Sequence, residues 1–505
     1  MKKEDAKALF DGALNNAPAD EQKRSVVDNL LDLVKAKCEL FTDQEDRGYA
    51  RFSSGKGVIQ CWPIESANFR KNVGRWYRVN YKKSARKEHV DEACQSLCAD
   101  ATYEGETRPV FLRVAYWEGR YYIDLCNDAW QVVEVDTTGW RILDLSPVMF
   151  VRSKTMKPFP TPTRGGDPEQ LWSYVNVPAS HRFLVIAWIL ESWRQNTQKP
   201  VLEILGGHGT GKSQTTEIIR SLVDPNTAPL RSFPSQDEHF FVSAQFNWVM
   251  AFENVSHANS GQQDIMCQVS TGSAYVKRTA YSDADETVLQ ALRPQIINGI
   301  TPMATRLDLI DRCISIELDA LPRGQRKSKT ELDAQYNAVY PSILGGLLDV
   351  FSNALRVLPD IVLPDPPRLV DFGQLGEAIV QVIRHPHSFC SMLRECQKEM
   401  IHTGLESSPV CVALMELSAK STSALVFSGN YKALLDRLSG YRSSGDSRAW
   451  PHSAYGLSSI LKRQAAGLEA MGIRVVTGQA RTSRGNLVTI ELTSSYPMCD
   501  FQAEI

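Results

Sequence analysis

The chain has 505 residues, 43% hydrophobic and 23% charged, with 56 Lys+Arg against 58 Asp+Glu and a formal net charge of −2. That length accommodates about three domains, each able to bury a core, and the composition excludes disorder, a collagen repeat or a coiled coil as a description of the whole. Near-neutrality argues against a wholly basic nucleic-acid coat but leaves room for local patches.

The opening stretch MKKEDAKALFDGALNN carries charge where a signal peptide needs an apolar core, and no run of about 18 uncharged apolar residues follows. A soluble, cytoplasmic chain with no membrane partner is the expectation. The 11 Cys are scattered without zinc-type spacing, so neither a structural metal nor a disulfide is expected. Cys94 and Cys98, four apart in DEACQSLCAD, read as reduced core residues.

Residues 1–165 pair a leading helix, SVVDNLLDLVKAKCELF, with strand-like runs VFLRVAYW, YYIDLC, WQVVEV and WRILDL, which predicts an α+β N-terminal domain. The stretch KPFPTPTRGGD, with alternating prolines and then Gly-Gly, continues neither a helix nor a central strand and predicts a linker near 157–167. Residues 166–350 alternate helical segments with apolar runs at 201–205, 229–233, 248–252, 295–298 and 313–318. This is the pattern of an α/β core whose parallel sheet is covered on both faces. Helices fill 351–424 as a lid or connector. Residues 425–505 read helix, helix and two strands with ARTSRG between them, a winged-helix pattern.

The most specific motif is Gly206-Gly207-His208-Gly209-Thr210-Gly211-Lys212-Ser213, which fits G-x-x-x-x-G-K-[ST] between the run VLEIL and the helix KSQTTEIIRSLV, and these residues with Gln214 are the expected nucleotide-binding set. Its glycines let backbone N–H groups face a phosphate, and the helix N-terminus adds its dipole. Lys212 is expected to bridge the β- and γ-phosphates of ATP, with Ser213 on Mg²⁺. The run WVMAF ends at Glu253-Asn254, which makes Glu253 the metal-side acid. Asn254 cannot take a proton, so Glu253 either serves as base as well or yields that task to Asp283, Asp285 or Glu286 in YSDADET. Those three acids equally suit a solvated turn. QIIN ends at Asn298, placed to orient the attacking water or touch the γ-phosphate. Arg306 and Arg312 precede the last strand, where a guanidinium could neutralise charge on a phosphate held by a neighbouring subunit. Arg312, immediately before the strand, is preferred; a salt bridge to Asp308 or Asp311 is the plainer alternative.

This order of motifs over 200–320 resembles AAA+ ATPases, most closely superfamily 3 helicases and the primase-helicase proteins of phages, prophages and plasmids. The similarity rests on AFENVS, YVKRTAYSDADE, PQIINGI, RLDLIDR, LPRGQRKSKTEL and YPSILGGLLDV, and upstream on VFLRVAYWEGRYYIDL. It implies a ring hexamer that binds ATP and Mg²⁺ between subunits and moves along single-stranded or forked DNA. It also implies a DNA-touching hairpin after the acid strand, where Lys277 and Arg278 stand beside Tyr275 and Tyr281. Glu253 stands where relatives usually carry Asp. No primase catalytic region is recognisable, so priming would need a partner protein, and a replication or defence partner fits the setting.

Two further segments are nucleic-acid candidates. Residues 69–87 carry Arg70, Lys71, Arg75, Arg78, Lys82, Lys83, Arg86 and Lys87 without an acid, interleaved with Trp76, Tyr77 and Tyr81. Basic side chains track phosphates and aromatics stack on bases, although a charge run is often only a solvated face. In the winged-helix segment, Lys462 and Arg463 lie on the second helix, and Arg481 and Arg484 in the turn. The expected function is an ATP-dependent DNA helicase or translocase of a phage or mobile element. The alternative is a switch or loader ATPase that assembles on DNA or a partner without unwinding, including in phage defence.

Overall fold

A computed structural model describes residues 24–54, 57–278, 286–321, 328–442, 450–482 and 485–493. Two compact units emerge: Met1–Phe111 with Pro147–Val151, and Leu112–Ser146 with Arg152–Ile505. The division falls well before the proline-rich stretch near 157–167.

The first unit opens with α1 (Val26–Lys35), whose N-terminus is closed by a capping box between Ser25 and Asp28. Strands β1 (Cys38–Thr42), β2 (Gly48–Ser53) and β3 (Ile59–Pro63) pair antiparallel. Helices α2 (Ala67–Tyr81) and α3 (Lys87–Glu104) follow, and β4 (Glu106–Thr107) returns parallel to β1. In α2 the apolar residues Phe69, Val73 and Tyr77 recur every four positions and are buried, at roughly 1.5–3 kcal/mol per large side chain. Cys94 is buried on α3, and Cys98, only half-buried, packs beside Gly48; burial pushes the Cys98 thiol up to about 11. A short pair, β5 (Val110–Leu112) and β10 (Met149–Val151), completes this unit.

The second unit begins with an antiparallel meander, β6 (Val114–Trp117), β7 (Arg120–Asp124), β8 (Val132–Asp136) and β9 (Gly139–Leu143). It does not belong to the N-terminal body, as the sequence reading had it. It docks on α9 (Lys329–Val357) through Trp140 Nε1 donating to Asp349 Oδ1 at 2.7 Å and Ser352 Oγ donating to Asp136 O at 2.6 Å. Helix α9 has the length and apolar composition of a membrane span, but 61% of its apolar window is buried, as a core helix would be. The stretch near 157–167 is not a free spacer. Thr163 N donates to Pro341 O of α9 at 2.9 Å, and a Cβ on Gly345 would stand 1.7 Å from Thr163 O.

Helix α4 (Arg182–Glu191), apolar all round and buried, precedes β11 (Val201–Leu205). After it come α5 (Lys212–Ser221), α6 (Asp237–Ala244), β12 (Met250–Phe252), α7 (Ser260–Thr271), the hairpin β13 (Ser273–Arg278) and β14 (Glu286–Ala291), β15 (Gln295–Gly299), α8 (Leu307–Ile310) and β16 (Cys313–Glu317). Strands β12, β15, β11 and β16 form one sheet in that order, every pair parallel. The expected strand at 229–233 is reduced to a single parallel bridge, Arg231 to Phe252. Helices α10 (Val370–Ile383), α11 (Phe389–Glu406) and α12 (Pro409–Ala419) follow.

The C-terminal part holds the expected two helices, α13 (Tyr431–Ser439) and α14 (Ala454–Ala470), and the hairpin of β18 (Ile473–Thr482) and β19 (Gly485–Leu492). It adds β17 (Leu425–Asn430), which pairs with β19 to make a sheet ordered β17-β19-β18.

Candidate functional site

The four parallel strands end at one edge of their sheet, where the glycine-rich loop, Glu253 and Asn298 lie; Arg312, immediately before β16, stands at the opposite edge, beside the start of β11. Ile204 pairs with Asn298, Leu205 with Gly299 and Glu317, and Phe252 with Ile297. Because β15 runs between β11 and β12, Asn298 stands between the glycine-rich loop and Glu253.

Three loop glycines take left-handed backbone, Gly206 at φ 152°, Gly209 at 79° and Gly211 at 83°. A side chain would strain each, and at Gly206 a Cβ would also stand 2.8 Å from Thr210 Oγ1. Helix α5 starts directly after Gly211, so its unpaired first-turn N–H groups and dipole face the loop. Lys212 Nζ donates to the carbonyls of Gly206 (2.6 Å) and Gly207 (2.7 Å), and burial lowers its pKa from the ordinary lysine value. An ammonium held by carbonyl dipoles is free to exchange them for phosphate oxygens. Thr210 Oγ1 donates to Gly207 O at 3.1 Å. His208 and Ser213 are exposed at the loop. Gln214 Nε2 is committed to Asp333 Oδ1 on α9, at 3.3 Å.

Asn298, 1% exposed, joins two segments. Its Nδ2 donates to Thr216 Oγ1 at 3.1 Å, and its Oδ1 accepts from Asn254 N at 3.0 Å. Thr216 in turn donates to Lys212 O at 2.8 Å. Asn254 sits at φ 54°, so the chain swings away immediately after Glu253. The Glu253 carboxylate has no ion-pair partner recorded among the described residues. Nearby, Lys329 Nζ bonds Glu217 Oε2 at 2.8 Å. That bond is the main cause of its raised pKa, with the charges of Asp333 and Glu253 adding to it.

Ser213 and Glu253 are the side chains that could hold a divalent cation. One hydroxyl and one carboxylate suit Mg²⁺, which keeps water and phosphate oxygens in its remaining positions. Among the described residues no cluster of three or more His, Cys, Asp or Glu could hold a metal alone. Of the outside candidates for a base, Asp283 and Asp285 lie beyond the described residues, and Glu286 begins β14.

Asn176 was not legible in the sequence. Its Nδ2 donates to Thr210 O at 3.1 Å and to Asp319 O at 2.7 Å, and its backbone N donates to Thr215 Oγ1 at 3.3 Å. It thereby ties the loop, α5 and the segment after β16 together. The only available signal was a lone amide between buried Val175 and Val177.

The two arginines divide in a way that sequence position did not suggest. The Arg312 side chain is 8% exposed and pairs with Asp308 Oδ1 at 2.7 Å, with a further bond to Asp308 O, so the plainer alternative describes its state in the single chain. The Arg306 side chain is 44% exposed and pairs with Asp264 at 2.5 Å. Of the pair, Arg306 is the one presented at the surface.

On the hairpin, Lys277 Nζ pairs with Glu238 Oε1 at 2.5 Å, and Tyr275 stacks on Phe241 with ring centres 5.5 Å apart. The Arg278 side chain and Tyr281 lie outside the described residues. In the first unit, Arg75, Arg78, Lys82 and Lys83 are exposed, whereas Trp76 packs edge-on against Phe52 and Tyr77 is buried. Lys462 and Arg463 are exposed on α14; Arg484 and the Arg481 side chain fall outside the described residues.

The fold and site thus define a mixed α/β chain whose parallel sheet ends in a glycine-rich loop of phosphate-binding sequence, with a helical and three-stranded C-terminal part. Residues 169–384 match the family described as actinomycete integrative conjugative element replication protein, and residues 410–500 match the C-terminal domain of that RepA. Both matches mark similarity to a replication protein of a mobile element. No curated protein matches the chain. Two solved apo A-form structures of the NrS-1 C-terminal region align at 12% identity, with TM-scores of 0.39 and 0.41. Each alignment covers 92% of this chain, and 99% and 98% of the respective structure.

Proposed function

We propose that the chain is an ATP- and Mg²⁺-dependent AAA+ motor of the superfamily 3 kind, acting as a helicase or translocase on DNA during mobile-element replication, and hexameric when active. One observation carries the reading. The glycine loop, the α5 N-terminus and Lys212 converge at the sheet edge where Asn298 connects Thr216 to the backbone beside Glu253.

In this reading the loop N–H groups and Lys212 hold the phosphates, and Ser213 and Glu253 hold Mg²⁺, which supplies charge neutralisation at the transferring phosphoryl group. Glu253 polarises the attacking water, Asn298 orients it, and Arg306 or Arg312 of a neighbouring subunit completes the site. Lys277 contacts DNA after exchanging Glu238 for a phosphate. A partner protein supplies priming.

Asn254 supports a second reading. An amide in the place of a second acid suits slow hydrolysis, hence a switch or loader that assembles without unwinding. ATP turnover with and without single-stranded DNA, measured beside strand displacement on a forked duplex, separates the two. DNA-stimulated hydrolysis without displacement would favour the switch. Full turnover by Lys212→Ala would refute the site. Mixing Arg306→Ala or Arg312→Ala subunits with Glu253→Gln subunits should restore activity only for the arginine that acts across the interface.

A further inference from the structure

From Ser66 to Lys87 the chain contains no acidic residue. In the structure this interval forms α2 and the turn after it, and the helix sorts its residues by face. Phe69, Val73 and Tyr77 point into the core of the first unit. Lys71, Arg75, Arg78 and Lys82, spaced by four, three and four, line up on the solvent side, and all are exposed. Lys83, Arg86 and Lys87 continue the patch, also exposed. None of these seven cations has a carboxylate partner among the described residues, whereas the neighbouring Arg70 is neutralised by Asp91 at 3.2 Å and the hairpin's Lys277 by Glu238.

The middle of the stripe holds Gly74, where an added Cβ would meet nothing within 4 Å. A helix-interior glycine costs roughly 0.5–1 kcal/mol relative to alanine, and packing does not require this one. Its effect is to leave the helix backbone bare between the cations, where another backbone can approach closely.

We propose that this face of α2 is a nucleic-acid grip that reads phosphates and not bases, formed by Lys71, Arg75, Arg78 and Lys82 on a unit that the replication-family matches at 169–384 and 410–500 do not include. The stripe spans about 16 Å at ~1.5 Å per residue, comparable to roughly five phosphates of one strand at ~3.4 Å of axial rise each. The interleaved aromatics do not stack on bases: Trp76 is held edge-on to Phe52, Tyr77 is buried, and Tyr81 lies against Tyr77 at 4.7 Å and donates to Asn29. An anionic membrane is the weaker fit, because an interfacial helix needs its apolar face free and that of α2 is spent in the core. The choice of ligand rests on the proposed DNA-directed role; the stripe itself does not.

The test is fluorescence anisotropy of the full chain, without nucleotide, on a labelled ~30-base-pair duplex, its single strand and a scrambled duplex, between about 50 and 200 mM salt. The Lys71→Glu/Arg75→Glu/Arg78→Glu/Lys82→Glu variant should bind at least about 100-fold more weakly, with the log–log salt slope on duplex smaller by about 3–4. Arg75→Lys/Arg78→Lys should bind as wild type does, and scrambling should change nothing. A wild-type slope in the quadruple variant, or binding to phosphatidylserine vesicles but not to DNA, would overturn the proposal. If circular dichroism showed the Glu variant misfolded, the corresponding quadruple Gln variant, with its smaller charge change, would decide by the same slope. Since no nucleotide is present, a chain that proved unable to hydrolyse ATP would still give the expected result, so the two readings fail separately.

Discussion

The contact between Asn298 and Thr216 is the joint on which the site reading turns, and a double-mutant cycle isolates it. Both residues are essentially buried, at 1% and 0% exposure, and the bond is a neutral one of 3.1 Å. Asn298→Ala removes that bond and the one from Asn254 N, two bonds at about 1 kcal/mol each plus a small void, for roughly 2–3 kcal/mol. Thr216→Val keeps the shape and removes the same bond together with the one to Lys212 O, at about 2 kcal/mol. In the double variant the shared bond is lost only once, so the coupling energy should be near 1 kcal/mol. Urea unfolding followed by the fluorescence of buried Trp188, Trp193 and Trp248 reads it. A coupling below about 0.3 kcal/mol would refute the geometry, since distant sites add to within that margin. In the hydrolysis assay, Asn298→Ala should lower kcat by about 10²–10³ while nucleotide affinity changes little, the pattern expected when a preorganised polar group near the reacting phosphate is lost.

Three further outcomes follow from side chains that sequence patterns did not highlight. Asn176→Ala should weaken nucleotide binding about ten-fold or more, because two donors anchoring the loop are lost, and Asn176→Asp should be worse, its carboxylate facing the carbonyls of Thr210 and Asp319; equilibrium titration with a fluorescent nucleotide measures both. Glu203 is buried, and burial raises its pKa despite bonds from Ser315, Met303 N and Ala304 N. Its contribution to stability is therefore fully present below the unfolded carboxyl pKa and is lost as pH rises through the raised folded value, so urea midpoints should shift in favour of Glu203→Gln over wild type as pH rises. Asp224→Ala should cost about 3–5 kcal/mol in the same unfolding assay, because it strands the fully buried Arg113, whose Nε bonds Asp224 at 3.0 Å.

The loop and its two flanking elements were legible because three local signals coincide there: an apolar run, glycines where left-handed backbone is needed, and a helix opening on Lys-Ser. What sequence missed is non-local. PLRSF reads as a strand, but it opens on Pro229, is followed by Pro234 and keeps one bridge, at Arg231. LVFSGN has no place among the elements predicted from sequence, and pairing with β19, about sixty residues later, makes it β17. The proline-rich stretch does lack helix and strand, as its composition requires, but its docking depends on Gly345 and Gly346 of α9, which no local pattern reveals. In the basic segment, the four-residue spacing of Phe69, Val73 and Tyr77 should have taken precedence over the mere presence of aromatics; a helical period assigns them to the core before any base can use them.

The site is stitched by three asparagines, and the choice of residue has a physical consequence. Asn176 donates to two carbonyls, Asn298 donates to a hydroxyl while accepting from a backbone N–H, and Asn254 supplies that N–H from a left-handed position that an asparagine adopts more readily than most residues. A carboxylate could not donate in the first two places, and an amide does not titrate in any of them. Framework geometry around the loop is thus insulated from pH. Ionisable side chains stand beside these amides at the same edge, among them Lys212, Glu253, the Lys329–Glu217 pair and Asp333. Joints made of amides let ligand binding alter the electrostatics of the site without loosening the contacts that hold the loop, β15 and the segment after β16 in register.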